Sequence, residues 1–398
     1  MKILRIIASM DPVSGGPCQG IRNIIPKLYE RGISNEVLCL NNPDSNFLKE
    51  DTFITHAIGP AFSPWNYTKN LTHWLLNNIS RFDILIIHGL WLYHGYAVYN
   101  VLNKYKRINN GHGPKLYIMP HGMLDPYFQK ATKRKFKSIR NWLYWKFIEA
   151  KIINNADGII FTCQEELNLA KNTFKPYNPQ KELNIGYGIP EPPNFNIEFT
   201  NELFRKCQII QNEPYILFLG RIHEKKGVDI LIEAYNIAHK YSISKSTKMP
   251  MLLIVGPGSD TRYGVKLINR VKQLNLQQKI VFLDMLTGAA KWGAFYGCEA
   301  FILPSHQENF GISVVEALAC SKPVLISYQV NIWREIIADG GGMAAVDTIE
   351  GTLELLNNWN KTSPQNKKEF GKRAKLCYVK NYSIESNLNV FINKLLIK

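Results

Sequence analysis

The chain has 398 residues, 45% of them hydrophobic and 20% charged, which is an ordinary globular composition long enough for two or three domains and excludes a disordered or fibrous chain. Its formal net charge of +16, leaning to the N-terminal half, calls for an anionic partner: nucleic acid, an anionic membrane surface or a phosphorylated acceptor. Seven cysteines without a C-x-x-C pair, nine histidines without metal-binding spacing and the lack of any Asp-x-Asp argue against a disulfide framework, a zinc site and an Asp-x-Asp metal site, and for a reducing compartment.

No apolar run reaches the roughly 18 residues of a membrane-spanning helix. The opening MKILRIIASMDP lacks a small-residue cleavage site and reads as a first strand rather than a signal peptide. The expectation is a cytoplasmic protein, with a peripheral position on the cytoplasmic face of the membrane as a further option. Strands are predicted over 2–9, 35–40, 53–58, 83–88, 115–119, 158–162 and, weakly, 183–185. Helices are predicted over 17–31, 67–79 and 96–107, followed by a long helical region. Thr162-x-x-Glu165 reads as a capping box opening the next helix.

Residues 188–212, with the Pro-rich IPEPP, break the pattern and read as an interdomain linker. Alternation then resumes, with strands over 215–219, 251–255, 279–283, the apolar run CEAFILP (298–304) and 324–327 and helices over 228–240, 263–274, 290–297 and 312–320. Repeated βα units predict an α/β protein of two doubly wound parallel sheets.

The stretch 303–325, LPSHQENFGISVVEALACSKPVL, carries the clearest chemistry. A loop that leaves a strand and opens a helix aims backbone N–H groups and the positive helix end at one spot, which suits a phosphate. Gly311 allows close approach of the backbone to a ligand. Glu316 leans back toward the helix N-terminus, where Glu308 sits in the loop. Ionised carboxylates only accept hydrogen bonds, so vicinal diols suit them. An anion beside a polyol describes a nucleotide sugar. Either Glu taken alone reads more readily as a structural residue.

Taken together, Pro304-Ser305, Glu308-x-Phe310-Gly311, Glu316-Ala317-x-Ala319 and Pro323-Val324 resemble the donor-site signature of retaining glycosyltransferases of family 4, with its E-x7-E pair at Glu308 and Glu316. One departure is Ser321, where the family has Gly. The resemblance implies the GT-B fold, two Rossmann-like domains facing a cleft. Residues 1–190 would bind the acceptor, residues 191–382 the donor, and a last helix over 383–398 would pack back on the first domain. It implies that Glu308 contacts sugar hydroxyls and Glu316 the ribose, with Asn309, Phe310 and Gly311 in the same donor loop.

Gly220-Arg221 and Lys225-Lys226-Gly227 match the family's diphosphate-holding Arg and Lys, assigned to Arg221 and Lys226 with Lys225 as second choice. The turn with Gly256 and Gly258 would lie under the nucleotide, whose base would meet 284–286. The Gly15-Gly16 turn would approach the donor phosphate and the acceptor. His121 would contact the transferred sugar, and Asp125 would orient the acceptor. His88 and Trp91 either line the acceptor side or, for Trp91, simply pack. The implied reaction is retaining and metal-independent, with no cofactor besides a UDP- or GDP-sugar substrate.

Residues 129–153 interleave Lys130, Lys133, Arg134, Lys135, Lys137, Arg140 and Lys146 with Phe136, Trp142, Tyr144, Trp145 and Phe147. The segment reads first as a face for an anionic membrane surface or a lipid-linked glycan acceptor, second as a solvated basic face with packed aromatics, and last as a nucleic-acid site. Envelope or capsule polysaccharide synthesis is the setting expected from the first. A GT-B epimerase or phosphorylase, or a basic nucleic-acid-binding protein, stays open as an alternative.

Overall fold

The computed structural model describes residues 1–130, 135–211 and 213–396. The chain divides into two compact units, Met1–Gly188 with Ile384–Lys398, and Ile189–Ser383.

The first unit contains β1 (Lys2–Ile7), β2 (Ser34–Cys39), β3 (Thr55–Ala57), β4 (Ile84–His88), β5 (Lys115–Met119), β6 (Gly158–Phe161) and β7 (Glu182–Asn184). All pair in parallel, in the order β3-β2-β1-β4-β5-β6-β7. Around them run α1 (Gly16–Glu30), α2 (Lys69–Asn78), α3 (Tyr93–Ile108), α4 (Tyr127–Lys130), α5 (Lys135–Tyr144), α6 (Ala150–Asn155) and α7 (Gln164–Ala170). Strand residues alternate between two cores. Leu4 and Ile6 face a large cluster with α2, α3 and α6, while Ile7 and Val37 join a smaller one under α1.

The second unit begins with α8 (Ile197–Lys206), then β8 (Tyr215–Leu219), α9 (Val228–Ser244), β9 (Met251–Val255), α10 (Arg262–Gln273), β10 (Ile280–Leu283), α11 (Gly288–Gly297), β11 (Ala300–Leu303), α12 (Ile312–Ala319), β12 (Val324–Ser327), α13 (Trp333–Ala338), β13 (Gly342–Ala345), α14 (Ile349–Lys361) and α15 (Pro364–Asn381). Its sheet is again parallel throughout, in the order β10-β9-β8-β11-β12-β13. The last helix, α16 (Ile384–Phe391), packs on α1 of the first unit, where Arg31 meets Glu385 at 3.2 Å.

Three expectations are corrected. The stretch 188–212 is not all linker. Asn196 caps α8 by accepting from the Glu198 N–H, and α8 lies so close to α11 that a Cβ on Gly293 would come within 2.0 Å of the Phe199 carbonyl oxygen. The capping box is shifted by one residue. Cys163 is the N-cap of α7, and Glu166 reaches back to the Thr162 N–H and hydroxyl (2.8 and 2.5 Å). The strand expected over 53–58 shortens to Thr55–Ala57.

The long helical region after β5 is broken. α5 runs into a π turn, Trp145–Glu149, before α6. Lys133 and Arg134, named above for their charge, lie outside the described residues, as do the side chains of Lys130 and Lys135. Phe136, Ile139, Trp142, Leu143 and Phe147 are exposed, whereas Trp145 is buried against Phe174 with ring centroids 4.9 Å apart. The packed-aromatic reading therefore holds for Trp145 and fails for Phe136, Trp142 and Phe147.

The π turn also carries Glu149 inward, where it accepts the Trp91 N–H at 3.3 Å. Burial lifts its carboxyl from 4.5 to about 8, against that hydrogen bond. A raised carboxyl pKa stabilises the fold fully below the unfolded value, and this contribution is lost as pH rises to about 8. Thermal melts should show the wild type losing stability relative to Glu149→Gln between about pH 5 and 8, and the difference levelling off above. Parallel melting profiles across that range would contradict the assignment.

Candidate active site

In a doubly wound sheet, ligands bind beyond the strand C-termini where the winding reverses. In the second unit that point lies between β8 and β11. The loops after these strands are stitched together. The Ser305 hydroxyl donates to the Lys225 carbonyl at 2.9 Å, and the His306 N–H donates to the same oxygen at 2.8 Å. Gly227, at φ +67°, sits so close that a Cβ would lie 2.1 Å from the Pro304 carbonyl oxygen. After β9, Gly256 at φ +145° approaches the Gly220 carbonyl as closely, a Cβ there falling 2.0 Å away. Gly258, at φ +110°, lies against Ile222.

The Glu308 backbone is held on both sides. Its N–H donates to the Gln329 carbonyl, and its carbonyl accepts from Asn331, both at 2.9 Å. Its side chain forms an ion pair with Lys226, and each of the two is 17% exposed. Burial pushes the Glu308 carboxyl up, but Lys226, Lys225 and Arg221 outweigh it and hold the group below the ordinary carboxylate value. Glu308 is thus an anion among three cations. Arg221, just beyond the end of β8, is exposed.

Asn309 follows in the loop, and Phe310 is buried on the Tyr382 ring at 5.8 Å. Gly311, at φ +78°, is the residue from which α12 starts. Ser321, standing where Gly was expected, adopts φ +60°, so the turn keeps its left-handed shape without Gly. Glu316, on α12, pairs with Lys291 of α11 at 2.6 Å. Its carboxyl is raised by burial, which Lys291 opposes. Lys291 was missed in the sequence because a single Lys inside a helix carries no motif.

In the first unit the winding reverses between β1 and β4. Gly15, at φ +89°, precedes α1, and the carbonyl of Gly16 accepts the Tyr187 hydroxyl. His88 ends β4, and His121 lies two residues beyond β5 with φ +52°. Their rings stack, with His88 Nδ1 2.9 Å from His121 Nε2. On the other side, Arg5 Nη1 lies 3.4 Å from His88 Nε2. Burial, then Arg5, drives the His121 pKa down to about 3. The loop after His121 is pinned by the Gly122 N–H donating to Glu166 at 2.5 Å.

Asp125 is buried and accepts the Tyr127 N–H at 2.8 Å. The Trp91 ring packs among Tyr144, Trp145 and Phe174. The strands therefore bring together Gly15, Gly16, His88 and His121 in one unit, and Arg221, Lys226, Gly256, Gly258, Glu308 and the start of α12 in the other. Arg5 gave no sequence signal beyond being a charge inside an apolar strand.

The chain matches two families, described as Glycosyltransferase Family 4 over residues 14–181 and Glycosyl transferases group 1 over residues 199–377. Among curated proteins it is 31% identical over 137 residues to a D-inositol 3-phosphate glycosyltransferase of Gordonia bronchialis, covering 34% of this chain and 29% of that protein. It is 32% identical over 180 residues to an uncharacterized glycosyltransferase of Methanocaldococcus jannaschii, covering 42% of this chain and 46% of that one. The matched stretches thus span less than half the length of these relatives. In fold it resembles the crystal structure of a glycosyltransferase from Rickettsia africae, with a TM-score of 0.75, 16% identity and coverage of 98% and 97%. It also resembles Anabaena HepE in complex with UDP and glucose, with a TM-score of 0.74, 16% identity and 99% of each chain covered. Two parallel α/β domains of Rossmann type, each matched by a glycosyltransferase family model, give the chain the GT-B fold.

Two substitutions test the geometry. Gly227→Ala should destabilise by at least ~1 kcal/mol from the left-handed strain alone, with the Pro304 contact adding to it, as read by urea unfolding. Lys291→Met should cost about 1–3 kcal/mol by leaving Glu316 without its cation, and adding Glu316→Gln should recover most of that loss. Additive effects would disprove the pairing.

Proposed function

We propose that the protein is a retaining, metal-independent glycosyltransferase that moves a hexose-type sugar from a UDP- or GDP-sugar to a hydroxyl of an anionic, lipid-linked glycan acceptor in envelope or capsule polysaccharide synthesis. The observation that carries this reading is the placement of Glu308 beside Lys226, Lys225 and Arg221 where the second sheet reverses its winding.

In this reading the diphosphate enters among the cations and draws Lys226 toward itself, which frees Glu308 to accept from sugar hydroxyls. Arg221, Lys226 and the N–H groups opening α12 stabilise the charge that develops on the leaving diphosphate. The bond from the anomeric carbon to the phosphate oxygen breaks, and a bond to the acceptor oxygen forms on the same face. The acceptor proton passes to the departing phosphate oxygen. Glu316 receives the ribose hydroxyls. Residues 1–190 bind the acceptor and 191–382 the donor.

The exposed stripe of Phe136, Ile139, Leu143 and Phe147, with Trp142 beside it and Lys137, Arg140 and Lys146 interspersed, supports binding to an anionic membrane surface. Among the described residues no helix is long and apolar enough to cross a membrane, so this contact would be peripheral.

Screening UDP-, GDP- and ADP-sugars for thermal stabilisation should identify the donor. Arg221→Ala should then weaken nucleotide affinity roughly tenfold or more, the loss of one charge-assisted contact. Glu308→Gln should instead spare the affinity and lower kcat. Full turnover by Arg221→Ala would overturn the phosphate role; donor turnover without acceptor would redirect the assignment to an epimerase, and turnover that needs only added phosphate to a phosphorylase. Phe136→Ser combined with Phe147→Ser should reduce binding to vesicles containing phosphatidylglycerol and leave transfer to a soluble acceptor unchanged.

A further inference from the structure

Arg5 lies in the middle of β1, an interior strand of the first sheet, and is only 3% exposed. Among the described residues no carboxylate forms an ion pair with it. Its Nε donates to Asn35 Oδ1 at 3.1 Å, and its Nη2 has no protein partner. Nη2 belongs to a side chain that lines a cavity of about 50 Å³ between the sheet, α1 and α16, with Tyr187, Asn387 and Phe391. Burial lowers the guanidinium pKa to about 10, so Arg5 stays charged at neutral pH. A buried, unpaired cation is costly, and an apolar residue of similar size would cost less. Apart from the Phe391 ring, 5.5 Å from its guanidinium carbon, the contact left to it is with His88.

A guanidinium can only donate. At 3.4 Å, Arg5 Nη1 therefore makes His88 Nε2 an acceptor, which places the His88 proton on Nδ1. That Nδ1–H points at His121 Nε2, 2.9 Å away, and makes it an acceptor in turn. The proton of His121 is then left on Nδ1. We propose that Arg5 is a positioning residue that, through His88, fixes His121 as a neutral ring whose only donor is Nδ1–H. This inference rests on the reading of His121 as a residue that meets the transferred sugar. It adds that His121 serves there as a hydrogen-bond donor to a sugar oxygen and not as a general base. To accept a proton on Nε2, His121 would have to turn a donor toward the His88 donor.

The other titratable groups around the pair leave this order intact. His94, on α3, donates from Nε2 to the His88 carbonyl at 3.1 Å and does not touch the His88 ring nitrogens. The Tyr187 ring meets the His121 ring edge-on at 6.4 Å. Glu166 is engaged by Gly122 and Thr162.

The test uses the full chain labelled with ¹⁵N at histidine, with His88→Gln and His121→Gln spectra giving the assignments. In the wild type both rings should show the neutral Nδ1–H pattern from pH 6 to 9. Finding His121 as the Nε2–H tautomer, or as a cation at pH 7, would overturn the proposal whatever the activity. Arg5→Met, checked for a melting temperature no lower than that of the wild type, should release the His121 tautomer into a mixture. It should also lower kcat roughly ten- to a hundredfold with KM for the donor little changed, as for loss of an outer-shell orienting group. The variant's kcat should gain an acidic limb, because His121 loses a cation that depresses its pKa. Arg5→Lys, which keeps a donor toward His88, should restore part of the rate. An unchanged tautomer in Arg5→Met would refute the positioning role. A wild-type rate in His121→Gln with the tautomer as described would refute only the sugar-contact reading.

Discussion

The cluster of charged loops in the second domain depends on two backbones touching. The loop after β8 and the loop after β11 meet at Gly227 and Pro304, and only a residue without Cβ fits there. That contact brings the Lys226 and Glu308 side chains, more than eighty residues apart in sequence, within ion-pair reach. The hydrogen bonds from Ser305 and His306 to a single carbonyl lock the same contact from the side-chain and main-chain directions. The ion pair in turn decides the charge of Glu308, since burial alone would push its proton on rather than off. A packing constraint therefore sets an electrostatic one.

The first domain uses buried polarity differently. Arg5, His88 and His121 form a row of donors and acceptors in which, among the described residues, no acid pairs with the cation. Such a row has one consistent arrangement of protons, and its cost is tolerated where a ring must be held in a defined state. The second domain, by contrast, pairs two half-buried carboxylates: Glu308 with Lys226 and Glu316 with Lys291.

Much of this was legible in the sequence, for physical reasons. Parallel strands buried on both faces read as apolar runs, and 324–327 and 215–219 were found at their true limits. Gly311 and the two Glu residues were visible because a tight turn and a charge stand out beside an apolar strand. The α8 helix was hidden behind the prolines of IPEPP, since its evidence is a single Asn cap and packing on α11. Lys291 and Arg5 were hidden because what matters is the group each faces across the fold, and no local spacing encodes that. The exposure of Phe136 and Phe147 was likewise undecidable from periodicity, which the π turn at Trp145–Glu149 interrupts.

The first domain is discontinuous: residues 384 onward complete it after the whole second domain has been threaded through. Phe391 and Asn387 of α16 close the cavity beside Arg5. During synthesis, the face of α1 and the buried guanidinium therefore remain open to water until the last helix leaves the ribosome. The first domain cannot reach its final packing as an early, independent folding unit. The row of Arg5, His88 and His121 beside that cavity is thus set only after the second domain has been made.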